Sequence, residues 1–287
     1  MVRFCADDYG ISKSSNNRIE ECLKNGALNK ISVLPNGDID DFKKRLSIND
    51  VKLSLHLNLI EGYPLSKRED VSLLVSKRGN FRYSFIGLFF LCVFGNRKKL
   101  KKQLYTEIKT QIDFWINHFP LDTPISIDSH QHTHMIPLVF KTLMKVIKDD
   151  SVKVEYLRIP AEPLIPYIKC LGLYLSISPV GIIKQWLLKF LNLFNKKELK
   201  KANINTASFM GILFSGKLSD DKVKKMLPQY EKTGKNIEIA FHPGYLENDE
   251  PLIDGCKSGF KKFYYSKWRK KEYEALLKLK VITKEGI

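Results

Sequence analysis

Five of the six histidines in this 287-residue chain lie near the ends of short apolar runs, in company with carboxylates that could share a metal or move a proton. The places are Asp7-Asp8, His56, the segment Asp128-Ser-His-Gln-His-Thr-His-Met135, and His242. Neutral imidazole is the commonest protein ligand for metals, and mixed with carboxylate it suits a divalent ion such as zinc that keeps positions open for water and substrate. If residues 128–135 are extended, His130, His132 and His134 share one side; if they coil, His130 and His134 are neighbours, and either geometry supports one or two ligands. Asp8, His56 and His130 together would supply three ligands. Adjacent aspartates on a strand point opposite ways, so one can bind the ion while the other stands near its bound water as a base, a division that gives Asp7 the proton-transfer role. His242, ahead of Pro243-Gly244, is a candidate acid or oxyanion donor. Arg158, at another strand end, is suited to stabilising negative charge or orienting a carboxylate, with a plain surface salt bridge as the alternative, and it joins His132 and His134 as a candidate for substrate contact.

The elements that must position these residues alternate along the chain. Phe4–Asp8, Ile31–Leu34, Val51–Leu59, Pro124–Asp128, Val152–Arg158, Ala207–Phe214 and Ile237–Phe241 read as strands. In Val51–Leu59 the leucines alternate with Ser54, His56 and Asn58, which places His56 on the polar face. Helices are expected at Ser14–Gly26, Lys98–His118, from Pro137 onward, through Leu164–Leu199, and at Asp220–Thr233. This alternation predicts an α/β fold with a mostly parallel sheet wrapped by helices, a divergent (β/α) barrel, whose chemistry gathers where strands end and loops begin. Residues 1–287 form one domain, within which 164–201 make an apolar, basic helical insert.

A 44% hydrophobic content in 287 residues is enough for a full core. The five cysteines are scattered and free of C-x-x-C spacing, which argues against a disulfide framework or a thiolate zinc site. With no signal peptide in the opening residues, a cytoplasmic location is expected. The apolar runs Phe85–Phe94 and Leu164–Phe194 are too short or too interrupted by lysine and proline to span a bilayer. A net charge of +17 calls for an anionic partner. No helix-turn-helix, zinc finger or RNP-like pattern accompanies it, which speaks against nucleic acid; an acidic glycan or the anionic inner face of a membrane fits the basic runs beside the apolar stretches.

Taken in order, the blocks resemble the YdjC-like carbohydrate deacetylase family, which includes chitooligosaccharide deacetylases. Ala6-Asp-Asp-Tyr-Gly-Ile-Ser12, Leu55-His-Leu-Asn-Leu-Ile-Glu-Gly62, Asp128-Ser-His-Gln-His-Thr-His-Met-Ile-Pro137, Arg158-Ile-Pro-Ala-Glu162 and Glu238-Ile-Ala-Phe-His-Pro-Gly244 carry the similarity over nearly the whole chain. The resemblance implies a divergent barrel that removes acetyl groups from N-acetylated sugars with one divalent metal ion, zinc or magnesium. It also implies Asp8, His56 and His130 as ligands, Asp7 as base and His242 in an assisting role. Cys5 stands where the family usually has asparagine. The same ligand set would serve an O-acetyl ester or phosphoester hydrolase, and a catalytically silent sugar-binding barrel is the third alternative. The insert at 164–201 is expected either to form a lid or membrane-facing surface for a lipid-linked or polymeric glycan, or to pack as helices on the barrel.

Overall fold

Runs of three to eight residues, apolar on at least one face, form seven strands in a computed structural model that describes residues 1–39, 51–119, 124–174, 176–248 and 250–285. They are β1 (Val2–Tyr9), β2 (Lys30–Val33), β3 (Lys52–Leu57), β4 (Ile125–Ser129), β5 (Val154–Leu157), β6 (Ser208–Met210) and β7 (Ile237–Phe241). All pair in parallel, in the order β5-β4-β3-β2-β1-β7-β6. Parallel neighbours need crossover connections, and helices supply them. The sheet curls into a half-closed barrel, and an isolated parallel bridge from Tyr156 to Asn205 links edge strand β5 to the approach to β6.

Around the sheet lie α1 (Lys13–Asn25), α2 (Phe85–Phe94), α3 (Arg97–His118), α4 (Pro137–Asp149), α5 (Ile165–Ile168), α6 (Leu171–Tyr174), α7 (Pro179–Ala202), α8 (Asp220–Glu231), α9 (Ser258–Tyr264) and α10 (Lys267–Glu285). Local chemistry sets their ends. Ser12 accepts the Ser15 N–H at 3.1 Å to start α1, and Gly26 closes it. The outward residues of the strands, among them Ile31, Val33, Leu55, Leu57 and Ile127, are fully enclosed in the main apolar core with residues of these helices.

The inward residues are different in kind. Lys30 from β2 reaches Glu238 of β7 at 2.9 Å, across intervening β1. Arg158, just past β5, meets Asp7 of β1, Asp128 of β4 and Glu238 of β7. Partners on non-adjacent strands can touch only through the barrel interior, which is therefore ionic. Burial alone opposes the Arg158 charge, but the three carboxylates outweigh it and hold the guanidinium pKa well above its ordinary value.

Two expectations gain detail. The helical segment Leu164–Leu199 is divided into α5, α6 and α7, with residue 175 outside the described residues. Proline inside a helix forfeits a hydrogen bond, so Pro179 begins α7, where Ser178 Oγ accepts the Gly181 N–H at 3.1 Å. The strand expected at Ala207–Phe214 stops at Met210, because Glu162 captures the next backbone donors: Gly211 at 3.2 Å, Ile212 at 2.8 Å and Leu213 at 2.9 Å. Those N–H groups are lost to the ladder, and Gly211 takes a φ of +144° that suits glycine.

Glu162→Ala would strand three buried backbone donors. It should lower unfolding free energy by about 3 kcal/mol, read as a reduced urea midpoint at constant slope, with Glu162→Gln recovering part of the loss. An unchanged midpoint would show that the β6 turn does not need this carboxylate.

Candidate active site

A cleft of about 330 Å³ opens at the carboxyl ends of the strands, lined among others by Asp7, Asp8, His56, His130, His132 and His242. In a parallel barrel this is the end where βα loops converge. Segments far apart in the chain thus meet as the alternation of strands and helices predicts.

Both aspartates line the cleft, against the expectation that neighbours on a strand diverge. The reason is local: β1 shifts register against β2 between Ala6 and Tyr9, and Asp8 takes a left-handed φ of 69°. That bulge turns Asp8 back to the side of Asp7. A non-glycine residue in this region costs about 1–3 kcal/mol, and such strain concentrates at functional positions.

Asp8, His56 and His130 each offer a ligand atom, and these atoms lie within 4.8 Å of one another. His56 is clamped by Asp128, whose Oδ1 is 2.5 Å from Nδ1, leaving Nε2 directed toward Asp8 Oδ1 at 3.6 Å. Such a carboxylate behind a histidine fixes ring orientation at metal sites. Burial disfavours a charged His56, but Asp128 and the other acidic partners prevail and raise its pKa to about 9. His130 Nδ1 lies 2.9 Å from Asp8 Oδ1. Burial pushes the Asp8 carboxyl up; His130 and Arg269 more than compensate, so it lies well below the usual range. The donor set and its closeness fit a divalent cation. Cys5, Asp7 and Asp128 are equally close together, but Arg158 already fills that role, with Nη2 at 3.2 Å from Cys5 Sγ and 2.9 Å from Asp7 Oδ1.

Asp7 receives both terminal nitrogens of Arg158, at 2.7 and 2.9 Å. Burial raises its pKa, yet Arg158 and His56 together bring it below the ordinary value. It is an oriented carboxylate that is ionised at neutral pH. His242 is 15% exposed, its Nδ1 3.4 Å from Glu272 Oε2, and that same oxygen accepts the His242 backbone N–H at 2.6 Å.

The three histidines after Asp128 neither share one side nor form a regular helix. Gln131 and His132 adopt left-handed φ values of 49° and 61°, which split the segment. His130 and His132 face the cleft, whereas His134 is enclosed behind it, with Nδ1 2.5 Å from Ser129 Oγ and Nε2 2.8 Å from the Arg158 carbonyl. His134 and Arg158, the other two candidates for substrate contact, are both fully buried with their polar groups engaged inside the protein, and neither is among the residues that line the cleft. His132 keeps its place on the cleft wall. Burial first, and then the charges of Lys184 and Arg158, keep its ring neutral.

Residues that the motifs did not single out complete the site. Arg269 stands next to Lys270 and Lys271 in the sequence, yet it is fully buried, pairs with Asp8 through Nη2, and donates to the Gly244 carbonyl at 3.3 Å. A Cβ at Gly244 would meet Ser15 Oγ at 1.9 Å, so a side chain there would have to displace the hydroxyl that donates to the Gly244 carbonyl. Tyr264 OH approaches His130 Nε2 at 3.4 Å, and Phe260, Phe263 and Lys184 close the walls. Arg269, Tyr264 and Glu272 all come from α9 and α10, where only spacing among lysines was visible. Asp128, which opens the histidine-rich segment, takes its place behind His56 because it shares the inward face of β4 with Ser126.

A metal ligated by His56 must displace the Nε2 proton that the histidine carries below pH about 9. Zinc titrated at pH 7.5 in buffers of differing ionisation enthalpy should thus release about one proton per ion. His130→Ala and Asp8→Asn should each weaken zinc binding by about 100-fold or more while His118→Ala leaves it intact. Equal affinities across the set would remove the site.

A model of the YdjC-like protein family matches residues 1–283. A carbohydrate deacetylase of Danio rerio is 26% identical over 298 residues, covering 94% of this chain and 89% of its own. One from Clostridium beijerinckii is 29% identical, covering 96% and 91%. A chitooligosaccharide deacetylase of Escherichia fergusonii is 22% identical, covering 85% and 81%. In fold, the chain resembles a proposed cellobiose-phosphate cleavage protein of Enterococcus faecalis with a TM-score of 0.66 at 18% identity, over 99% of this chain and 94% of the other.

Proposed function

The chain belongs to the YdjC-like family, and from that premise we propose that it is a metal-dependent carbohydrate deacetylase that hydrolyses the acetamido group of an N-acetylated sugar. The carrying observation is the convergence of Asp8, His56 and His130, with Asp7 and His242 lining the same cleft. Relatives that span nearly the same length bear the names carbohydrate deacetylase and chitooligosaccharide deacetylase.

Zinc or magnesium held by Asp8, His56 and His130 would polarise an acyl oxygen and lower the pKa of a bound water. The rest falls to the chain's own groups. Asp7, ionised and fixed by Arg158, accepts the proton of the attacking water as the carbon–oxygen bond forms. His242, backed by Glu272, donates to the nitrogen as the carbon–nitrogen bond breaks, giving acetate and a free amine. Phe260 and Phe263 offer apolar faces to a sugar ring, and Gln131, His132 and Ser215 offer polar contacts to hydroxyls.

Purified protein supplied with zinc or magnesium should release acetate from N-acetylglucosamine oligomers and stop when chelated. Asp7→Asn should lower kcat by about 10²–10⁴-fold while retaining the bound ion, measured by metal analysis of the same sample. Turnover that survives chelation, or phosphate release from sugar phosphates in place of acetate, would overturn the reading.

A further inference from the structure

Helix α7 is apolar on two opposite sides. Gly181, Leu188 and Leu191 are buried toward the barrel, with Gln185 and Asn195 among them. Val180, Ile183, Trp186, Phe190, Leu193 and Phe194 are each between 54% and 73% exposed. Steps of three and four residues place those six in one stripe opposite the buried one. Helix α2 repeats the device: Leu88 and Cys92 are buried, while Ile86, Phe90, Val93 and Phe94 are between 45% and 79% exposed.

Each stripe runs into positive charge. Arg97, Lys98, Lys99, Lys101 and Lys102 follow α2, and Lys196, Lys197, Lys200 and Lys201 end α7, all exposed. Helix α2 lies in the segment after β3 and α7 in the segment after β5, both leaving carboxyl ends of strands. Lys184, near the start of α7, lines the catalytic cleft.

From these faces we infer that α7 and α2 dock on an anionic lipid bilayer. A helix with an aliphatic and aromatic stripe beside lysines lies in the membrane interface with its stripe among acyl chains and its ammonium groups at the headgroups. Among the described residues no helix is long and apolar enough to cross a membrane, so the contact is peripheral. A second copy is a poor occupant, because it would bring two chains of net charge +17 and their lysine clusters together. An anionic surface covers the stripe and neutralises the lysines at once. Resting on the deacetylase reading, the substrate class is then an acetylated amino sugar carried on a lipid, delivered to the cleft that Lys184 borders.

The test uses the full chain with phosphatidylcholine vesicles, with and without phosphatidylglycerol. The protein should sediment with the phosphatidylglycerol vesicles, release as salt rises, and show a blue shift in tryptophan emission as Trp186 leaves water. Trp186→Glu/Phe190→Glu, with unchanged circular dichroism, should bind at least about tenfold more weakly. Absence of binding, equal binding by the variant, or a dimer in solution that the variant dissolves would overturn the docking. A glycolipid bearing N-acetylglucosamine in those vesicles should be turned over faster than soluble oligomers, and the double variant should lose that advantage alone. Equal rates would overturn the lipid-carried substrate. Failure on every sugar, with vesicle binding intact, would sink the deacetylase reading and leave the docking standing.

Discussion

One fully buried guanidinium conditions most of this molecule. Arg158 is fully buried and meets Asp7, Asp128 and Glu238, carboxylates from three strands that are not its neighbours in the order of pairing, apart from β4. Arginine does not give up its proton in proteins, so the interior must supply negative charge to match it, and each carboxylate must find positive charge in turn. Lys30 takes the remainder of Glu238. The cost of desolvating these ions is met by mutual closeness, which fixes the curl of the sheet and the aim of its inward side chains together. Two of the three carboxylates then have work at the cleft: Asp7 presents an oriented ionised group, and Asp128 holds the His56 ring.

Above this layer the same solution recurs with different parts. Asp8 cannot be neutralised by Arg158, which is committed below, so it leans on His130 and on Arg269 from the far end of the chain. The two aspartates differ in sequence position by one and in electrostatic neighbours almost entirely. Their separation rests on the bulge at Asp8, which gives up a regular strand conformation to bring both carboxylates to one side.

Much of this was legible because strands announce themselves by runs of apolar residues and histidines are rare. Ile237–Phe241 is a strand in the structure at the bounds its apolar run suggests, and the density of histidines after Asp128 points to the loop that carries His130. Parity along Val51–Leu59 correctly set His56 apart from the leucines, and the structure turns it inward. The left-handed turn of Asp8 was not legible, since two aspartates in a row look like ordinary alternation, and the contact that stabilises the turn lies more than 250 residues away at Arg269. Arg269 itself sits among Lys267, Lys270 and Lys271 and looks like surface charge. Its burial comes from tertiary packing of α9 and α10 against the opening of the barrel, information that no local window holds. Cys5, where the resembling family usually has asparagine, sits beside Arg158, Ser32 and Asp7, so the departure falls within the ionic layer and not among the Asp8, His56 and His130 group.

Helix α10 ties together segments that lie far apart in the chain. Arg269 grips Asp8, and Glu272 accepts from both the His242 and the Leu218 backbone. A ribosome delivers β1 long before this helix, so the nascent polypeptide can form much of its sheet while Asp8 still lacks its buried cationic partner. Assembly of a competent centre therefore waits for α10, and a polypeptide cut short before this helix would hold its histidines in an electrostatically unbalanced mouth.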